Sequence, residues 1–199
     1  MKSNYDVIIV GGSYAGLSAA MALGRSLREV LIIDSGLPCN RQTPHSHNFI
    51  TQDGVPPAEI AAVAKEQVLL YKSVDFITDL ATASKKTQEG FQVKTTSGKS
   101  FFAKKIIFAT GVKDEIPPIN GFSQCWGISI IHCPYCHGYE FRNNKTGIMA
   151  NGERAFHLAS LVRNLTDQLY ILTNGQAHFT PDQLFNLAQN HLTTIPPQL

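Results

Sequence analysis

No segment of this 199-residue sequence approaches the roughly 20 apolar residues that a membrane-spanning helix needs. No charge of one sign dominates either. Seventeen Lys and Arg face 15 Asp and Glu, a formal charge of +2, which gives no electrostatic case for nucleic acid or a membrane surface as partner. Cysteine is scarce. Four residues in a chain this long do not make a secreted disulfide scaffold. Lys2 followed by the apolar run Val7-Ile8-Ile9-Val10 has the look of a secretory leader. Asp6 interrupts it, the run is short, and glycines follow at once, so that reading is rejected. A reducing cytoplasm is the expected setting, and the length suits one large domain or two small ones.

Two of the four cysteines stand in His132-Cys133-Pro134-Tyr135-Cys136-His137-Gly138. A C-x-x-C pair can close a disulfide within one turn of chain, and in a reducing compartment it is more often catalytic than structural. The thiolate is the species that attacks a disulfide, and a neighbouring imidazolium lowers a cysteine pKa. His137, next to Cys136, is the candidate acid/base. The competing reading is half of a zinc site. Structural zinc needs four ligands, usually from two such pairs, and Cys39 and Cys125 each stand alone. The expectation is a redox dithiol and no metal.

The N-terminal stretch supplies a second chemistry. Val7 to Val10 is β-branched and continuously apolar, as a strand buried on both faces should be. Gly11-Gly12-Ser13-Tyr14-Ala15-Gly16 follows, then apolar residues at helical spacing, then a strand over 28–33 ending at Asp34. Such a βαβ unit binds an adenine dinucleotide. Glycines admit the pyrophosphate, the helix N-terminus favours its charge, and the acid accepts from a ribose hydroxyl. Ser13 stands where the middle glycine of G-x-G-x-x-G is usual.

Residues 35–55 lack periodicity and read as a long loop. His45 and His47 alternate there without an evident acidic partner, which favours a surface or cofactor-adjacent role over metal. Pro56-Pro57 opens an amphipathic helix with Ile60, Val63, Ala64, Val68 and Tyr71 on one face. Residues 74–78 form a third strand, 91–95 and 100–103 a hairpin around Ser97-Gly98, and 106–109 a further buried strand ending at Thr110-Gly111. Taken alone, that Thr-Gly is a simple turn.

Pro117-Pro118 and Gly121 mark a boundary, giving domains over 1–116 and 117–199. The second opens with the dithiol. A strand over 145–150, the turn Asn151-Gly152-Glu153-Arg154-Ala155, a helix, and a strand over 169–173 then make another βαβ unit. Ala150, Gly152 and Ala155 hold its three small-residue positions. Pro181 opens a last helix through His191. Only two strands of the second sheet are expected, a marginal sheet, and on that ground the chain looks cut short.

In that order, a flavin-type fingerprint, a hairpin, an Ala-Thr-Gly strand end, a C-x-x-C and a second nucleotide fold resemble the low-molecular-weight thioredoxin reductases. The resemblance implies an α/β architecture: a Rossmann-like FAD-binding domain with a hairpin insertion, then a partial NAD(P)-binding domain carrying the dithiol. It implies that Gly11, Gly12, Ser13, Tyr14, Ala15 and Gly16 cradle the FAD pyrophosphate and that Asp34 holds the ribose. Asn48 then lies near the flavin, Thr110 and Gly111 close over the cofactor, and Gly152 and Ala155 form the phosphate turn for NAD(P)H. Cys133 and Cys136 match the redox pair, and His137 falls where reductases carry an aspartate. The implied partner is a thioredoxin-like protein or a small-molecule disulfide or dithiol, and a homodimer is compatible.

Three departures stand out. The later FAD segment with its Gly-Asp motif is absent. Cys39 replaces an expected glutamine. Thr173-Asn174-Gly175 stands where the arginines for an NADP 2′-phosphate are expected. The Cys-x-x-Cys-His-Gly form also resembles flavin dithiol oxidases, which pass electrons to oxygen without nicotinamide. That oxidase, and a non-catalytic nucleotide-binding fragment, are the alternatives to an FAD-dependent disulfide reductase.

Overall fold

The computed structural model describes residues 2–190 and 192–195. The chain divides into two compact units, residues 1–130 and 131–199, each taken here by itself. No helix among the described residues is long and apolar enough to cross a membrane.

The first unit is built on a six-stranded sheet. Its strands are β1 (Asn4–Val10), β2 (Val30–Asp34), β3 (Val74–Thr78), β4 (Ala81–Thr87), β5 (Gly90–Thr95) and β6 (Ser100–Phe108), in the order β3-β2-β1-β6-β5-β4. The first four strands of that order run parallel, and β5 and β4 add an antiparallel edge. The apolar runs of β1 and β2 are explained by burial on both faces. Ile8, Leu31 and Ile33 join Phe101 and Val93 on one side. Val7, Ile9, Val30 and Ile32 meet Leu17 and Ala20 of helix α1 (Tyr14–Arg25) and Val68 of helix α2 (Pro57–Leu69) on the other. On α2 the expected apolar face holds at Ile60 and Val68, but Val63 points to solvent and is 53% exposed.

Two expectations about this sheet need correction. The expected hairpin is a three-stranded antiparallel meander, because Ala81–Thr87 also forms a strand. Residues 100–103 and 106–109 are also not separate strands. β6 runs unbroken from Ser100 to Phe108, pairing antiparallel with β5 through its first half and parallel with β1 along its length. Lys104 and Lys105 sit at the junction, and Lys104 Nζ reaches Asp6 Oδ1 at 2.8 Å, so the charged pair punctuates the apolar pattern without breaking the strand. Residues 117–130, expected to open the second domain, fall within the first unit. The Gln42 amide donates to the Ser123 carbonyl at 3.2 Å, and Trp126 Nε1 donates to Asp114 Oδ2 at 3.0 Å.

The second unit carries helix α4 (Pro134–His137), a 3₁₀ turn (Tyr139–Phe141) and a small parallel sheet in the order β7-β8-β9; α3 (Phe122–Cys125) precedes it in the first unit. Strand β7 is Thr146–Met149, β8 is Leu169–Leu172 and β9 is Thr193–Ile195. A third strand therefore joins what was expected to be a two-stranded sheet. Helices α5 (Gly152–Val162) and α6 (Pro181–Gln189) flank it, and Ile148, Ala155, Ala159, Ile171 and Leu187 form the core. The expected end of the last helix, His191, lies outside the described residues.

Leu31 is fully buried at the centre of the first sheet. Leu31→Ala should cost about 2–5 kcal/mol through lost burial and the cavity left behind. A lowered urea midpoint with an unchanged slope is the expected result.

Candidate active site

At the end of β1 the chain turns into α1 with almost no room for side chains. Gly11 has φ +105°, and a methyl there would stand 2.2 Å from the Ala109 carbonyl oxygen. At Gly16 a methyl would stand 1.8 Å from the Gly11 carbonyl oxygen. A Cβ at Gly12 would meet the Phe76 ring at 2.7 Å and Asp34 Cβ at 2.8 Å. The turn is therefore glycine-built at all three positions, packed against β6, β3 and its own helix. The Ala109 carbonyl and the Phe76 ring were not legible locally, since both arrive from distant strands. Phe76 is itself held beneath Lys65, whose Nζ lies 3.7 Å from the ring centroid.

The helix that follows starts bare. Ser13 is the N-cap of α1 but its side chain caps nothing, and the first turn contains no acid. A helix start leaves its first amide N–H groups without intrahelical partners and carries partial positive charge. Asp34, at the end of β2, accepts from Gly12 N–H at 2.8 Å on Oδ1 and from Gly36 N–H at 3.0 Å on Oδ2. It is thus fixed beside the turn with lone pairs to spare for hydroxyl donors. An open helix start, a glycine cradle and an anchored acid together fit a dinucleotide pyrophosphate and its ribose.

The loop over 35–55 is tied to this turn. The Tyr14 and Phe49 rings meet edge-on at 6.0 Å, and the Tyr14 hydroxyl donates to the Pro57 carbonyl at 3.4 Å. Asn48 has φ +56°, and its N–H donates to Asp53 Oδ1 at 2.8 Å. The same carboxylate lies 3.7 Å from His47 Nδ1, so an acid does stand beside the histidine pair, contrary to expectation. His45 Nδ1 bonds the Gly54 carbonyl at 3.0 Å. These histidines brace a folded loop, and among the described residues no group of three or more His, Cys, Asp or Glu gathers to hold a metal. At the end of β6, Thr110 N lies 3.2 Å from where a Gly11 Cβ would be, whereas Gly111, at φ +66°, faces open space.

In the second unit Cys133 is the N-cap of α4 and Cys136 lies within it. The one turn of helix brings Cys136 Sγ to 2.7 Å from Cys133 Sγ. Cys136 is half-buried, and its thiol is pushed up to about 11 by burial, then by the hydrogen bond and charge of Cys133. His137 closes the helix. Gly138 is needed for space, since a methyl there would sit 2.4 Å from the Pro134 carbonyl oxygen and 2.6 Å from Leu165 Cδ1.

The glycine turn of the second unit is built differently from that of the first. Gly152 and Ala155 are both buried, as expected of its small-residue positions. Asn151, one place before Gly152, caps α5, and its side chain makes four hydrogen bonds. Oδ1 accepts from Gly152 N–H at 2.8 Å and His178 N–H at 2.9 Å; Nδ2 donates to the carbonyls of Thr173 at 3.3 Å and Gln176 at 2.7 Å. Asparagine before Gly-Glu is a recognisable helix-cap signal. Its bonds to 173–178 had no local signature.

The profile of the pyridine nucleotide-disulphide oxidoreductase family matches residues 5–192. The chain belongs to that family. Its members use a flavin and a nicotinamide cofactor. Among curated proteins, the chain is 37% identical over 180 residues to thioredoxin reductase aclD of Aspergillus oryzae, covering 86% of this chain and 57% of that one. It is 34% identical to a probable thioredoxin reductase of Arthroderma benhamiae, covering 92% of this chain and 47% of the relative. The chain thus spans about half the length of these relatives. Among solved structures, an oxidoreductase from Agrobacterium tumefaciens superposes with a TM-score of 0.91 at 39% identity, over 96% of this chain and 65% of that one. A putative thioredoxin reductase from Bacillus anthracis gives 0.92 at 30% identity, over 96% and 64%. The Rossmann-type α/β reading and the thioredoxin-reductase-like resemblance both hold.

Two tests follow from this geometry. Gly16→Ala should distort the first turn against the Gly11 carbonyl and cost about 1–3 kcal/mol, the range for forced overpacking, read as a loss in denaturation midpoint. Alkylation of the reduced protein should modify Cys136 slowly near neutral pH and faster as pH climbs towards 11, followed by mass spectrometry. In Cys133→Ser the rise should come at lower pH, because the partner sulfur's charge is gone while burial remains.

Proposed function

We propose that the chain carries the flavin and dithiol parts of a disulfide reductase of the thioredoxin reductase type. In this reading electrons pass from a nicotinamide cofactor through FAD to the Cys133–Cys136 disulfide and on to a disulfide substrate. The observation that carries it is the pairing, in one chain of this family, of the bare glycine turn at Gly11–Gly16 with a C-x-x-C whose sulfurs lie 2.7 Å apart. Gly11, Gly12, Ser13, Tyr14, Ala15 and Gly16 would hold the FAD pyrophosphate, and Asp34 its ribose. Asn48, Thr110 and Gly111 would line the flavin side. When bound, the flavin supplies a two-electron carrier.

The chain's own residues do the sulfur chemistry. Reduction of the Cys133–Cys136 disulfide consumes two electrons and two protons and leaves two thiols. Cys133 as thiolate then attacks one sulfur of the substrate disulfide, forming a mixed disulfide and releasing the other sulfur as a thiolate, which takes a proton. Cys136 loses its proton, attacks the Cys133 sulfur and expels the substrate sulfur as a thiolate that takes up a proton, restoring the internal disulfide and freeing the second substrate thiol. The raised pKa of Cys136 keeps its proton in place until a base takes it. His137, adjacent in sequence, is the residue assigned to that transfer. The substrate is a thioredoxin-like protein or a small-molecule disulfide. A dithiol oxidase would share the flavin and the cysteines and differ in its electron sink; the named relatives above favour the reductase.

In the flavin-loaded protein, reduction of the flavin by added dithiothreitol without oxygen should be lost in Cys133→Ser and in Cys136→Ser, with FAD retained. His137→Ala should slow disulfide turnover by roughly 10²–10⁴-fold, the usual contribution of an acid–base group, again with FAD bound. Unimpaired turnover in the double cysteine variant would make the dithiol structural and remove the proposal.

A further inference from the structure

The two helix starts of this protein answer their unpaired amides in opposite ways. α1 leaves them open, with Ser13 capping nothing and no acid in the first turn. α5 answers them from within the chain. Asn151 stands where the first unit has Gly12, counted from the end of the preceding strand (Val10 and Met149). Its carbonyl oxygen takes Gly152 N–H, and Glu153 adds a carboxylate to the first turn. Both complement the positive end of the helix.

The same side chain ties down the segment that follows β8. Three of the four Asn151 bonds reach the backbone of Thr173, Gln176 and His178. The His178 carbonyl oxygen then lies 3.1 Å from where a Gly152 Cβ would be. Glycine at that place in a Rossmann turn normally lets the pyrophosphate approach the backbone. Here the approach is taken by a carbonyl, an acceptor that repels phosphate oxygens. Gln183 at the start of α6 donates to Glu153 across the same turn. Thr173, at the place matching Asp34, spends its hydroxyl on the Gly175 carbonyl at 2.7 Å. As it stands, the second turn does not fit a dinucleotide.

We infer that residues 174–178 are a strap latched by Asn151 over the second phosphate turn, and that a nicotinamide dinucleotide reaches this unit only by displacing it. Asn151 is thereby a specificity-determining residue for the electron donor. The inference rests on the proposed reductase reading and deepens it. A ligand that needs a minor open state loses affinity in proportion to the open fraction. Each neutral hydrogen bond that must be broken lowers that fraction by roughly two- to twelvefold. Two strap bonds on one side chain, to Gln176 and His178, therefore make nicotinamide binding weak until the latch is released.

The test uses the flavin-loaded protein, with NADH and NADPH as probes. Binding is followed by calorimetry, and amide hydrogen exchange is followed over 174–178. Asn151→Gly, which copies Gly12 of the first turn, should tighten binding of at least one dinucleotide tenfold or more. It should also speed exchange across 174–178. Gln183→Ala, a half-buried change that removes the bond to Glu153 and leaves Asn151 in place, should act in the same direction by about threefold, and it keeps the question decidable if the glycine variant fails to fold. In the unaltered protein, saturating dinucleotide should itself raise exchange over 174–178. Equal affinity in all three proteins, or binding that leaves exchange in 174–178 unchanged, overturns the strap. So does absence of binding to both variants. Reduction of the flavin by dithiothreitol reports the dithiol relay separately. Its survival alongside a failed strap test would leave the reductase reading standing, and its loss would not.

Discussion

The tightest glycine of the first unit is Gly16, where an added methyl would stand 1.8 Å from the Gly11 carbonyl oxygen. It sets how tightly α1 can leave β1. A helix that starts this close to its strand points its free amides at the space above the sheet edge, and the acid at the end of β2 comes within hydrogen-bond reach of Gly12. Both depend on register. β1 pairs with β2 from Val7↔Val30 to Val10↔Ile33, which leaves Asp34 one residue beyond the end of β1, level with the turn. A slip of one residue would turn Ile8 and Leu31 out of one core layer and carry Asp34 away from the amide it holds. The packing of the sheet and the shape of the cradle are therefore one constraint.

The second unit repeats the topology on a smaller scale without the same consequence. Its core is sound: Ala155 and Ile171 are fully buried and Ala159 nearly so. The difference lies in one position. A glycine at 12 leaves a turn whose unpaired amides must be answered from outside, whereas an asparagine at 151 answers them from inside and adds bonds to the next loop. One side chain thus separates a helix start left open from one met within the chain itself.

What could be read from the sequence followed how local its physical cause is. Continuous β-branched runs, a glycine turn and an acid after the second strand need only neighbours in the chain to be recognised, and the structure places them together. β4 escaped because Ala81–Thr87 is polar and exposed along most of its length, the composition of an edge strand that packs on little. β6 was divided because Lys104 and Lys105 interrupt its apolar pattern, although the backbone ladder ignores side-chain polarity. β9 was missed because it is short, being three residues. The partners of Asn151 lie 22 to 27 residues away, and nothing in Ala-Asn-Gly-Glu-Arg-Ala marks them. The turn's motif was legible, and what fills it was not.

The dithiol shows the same dependence on surroundings. Cys133 and Cys136 are alike in sequence, each beside a histidine, yet the helix turn makes them unequal. Burial acts on Cys136 first, and the adjacent sulfur adds a penalty to any second negative charge. In a pair built this way a charge on one sulfur makes the proton of the other harder to remove. That coupling suits exchange with a disulfide. One sulfur can attack while the other stays protonated and so does not expel it prematurely. The second step then waits on removal of a proton, the transfer that the proposed reading assigns to His137 at the end of the short helix.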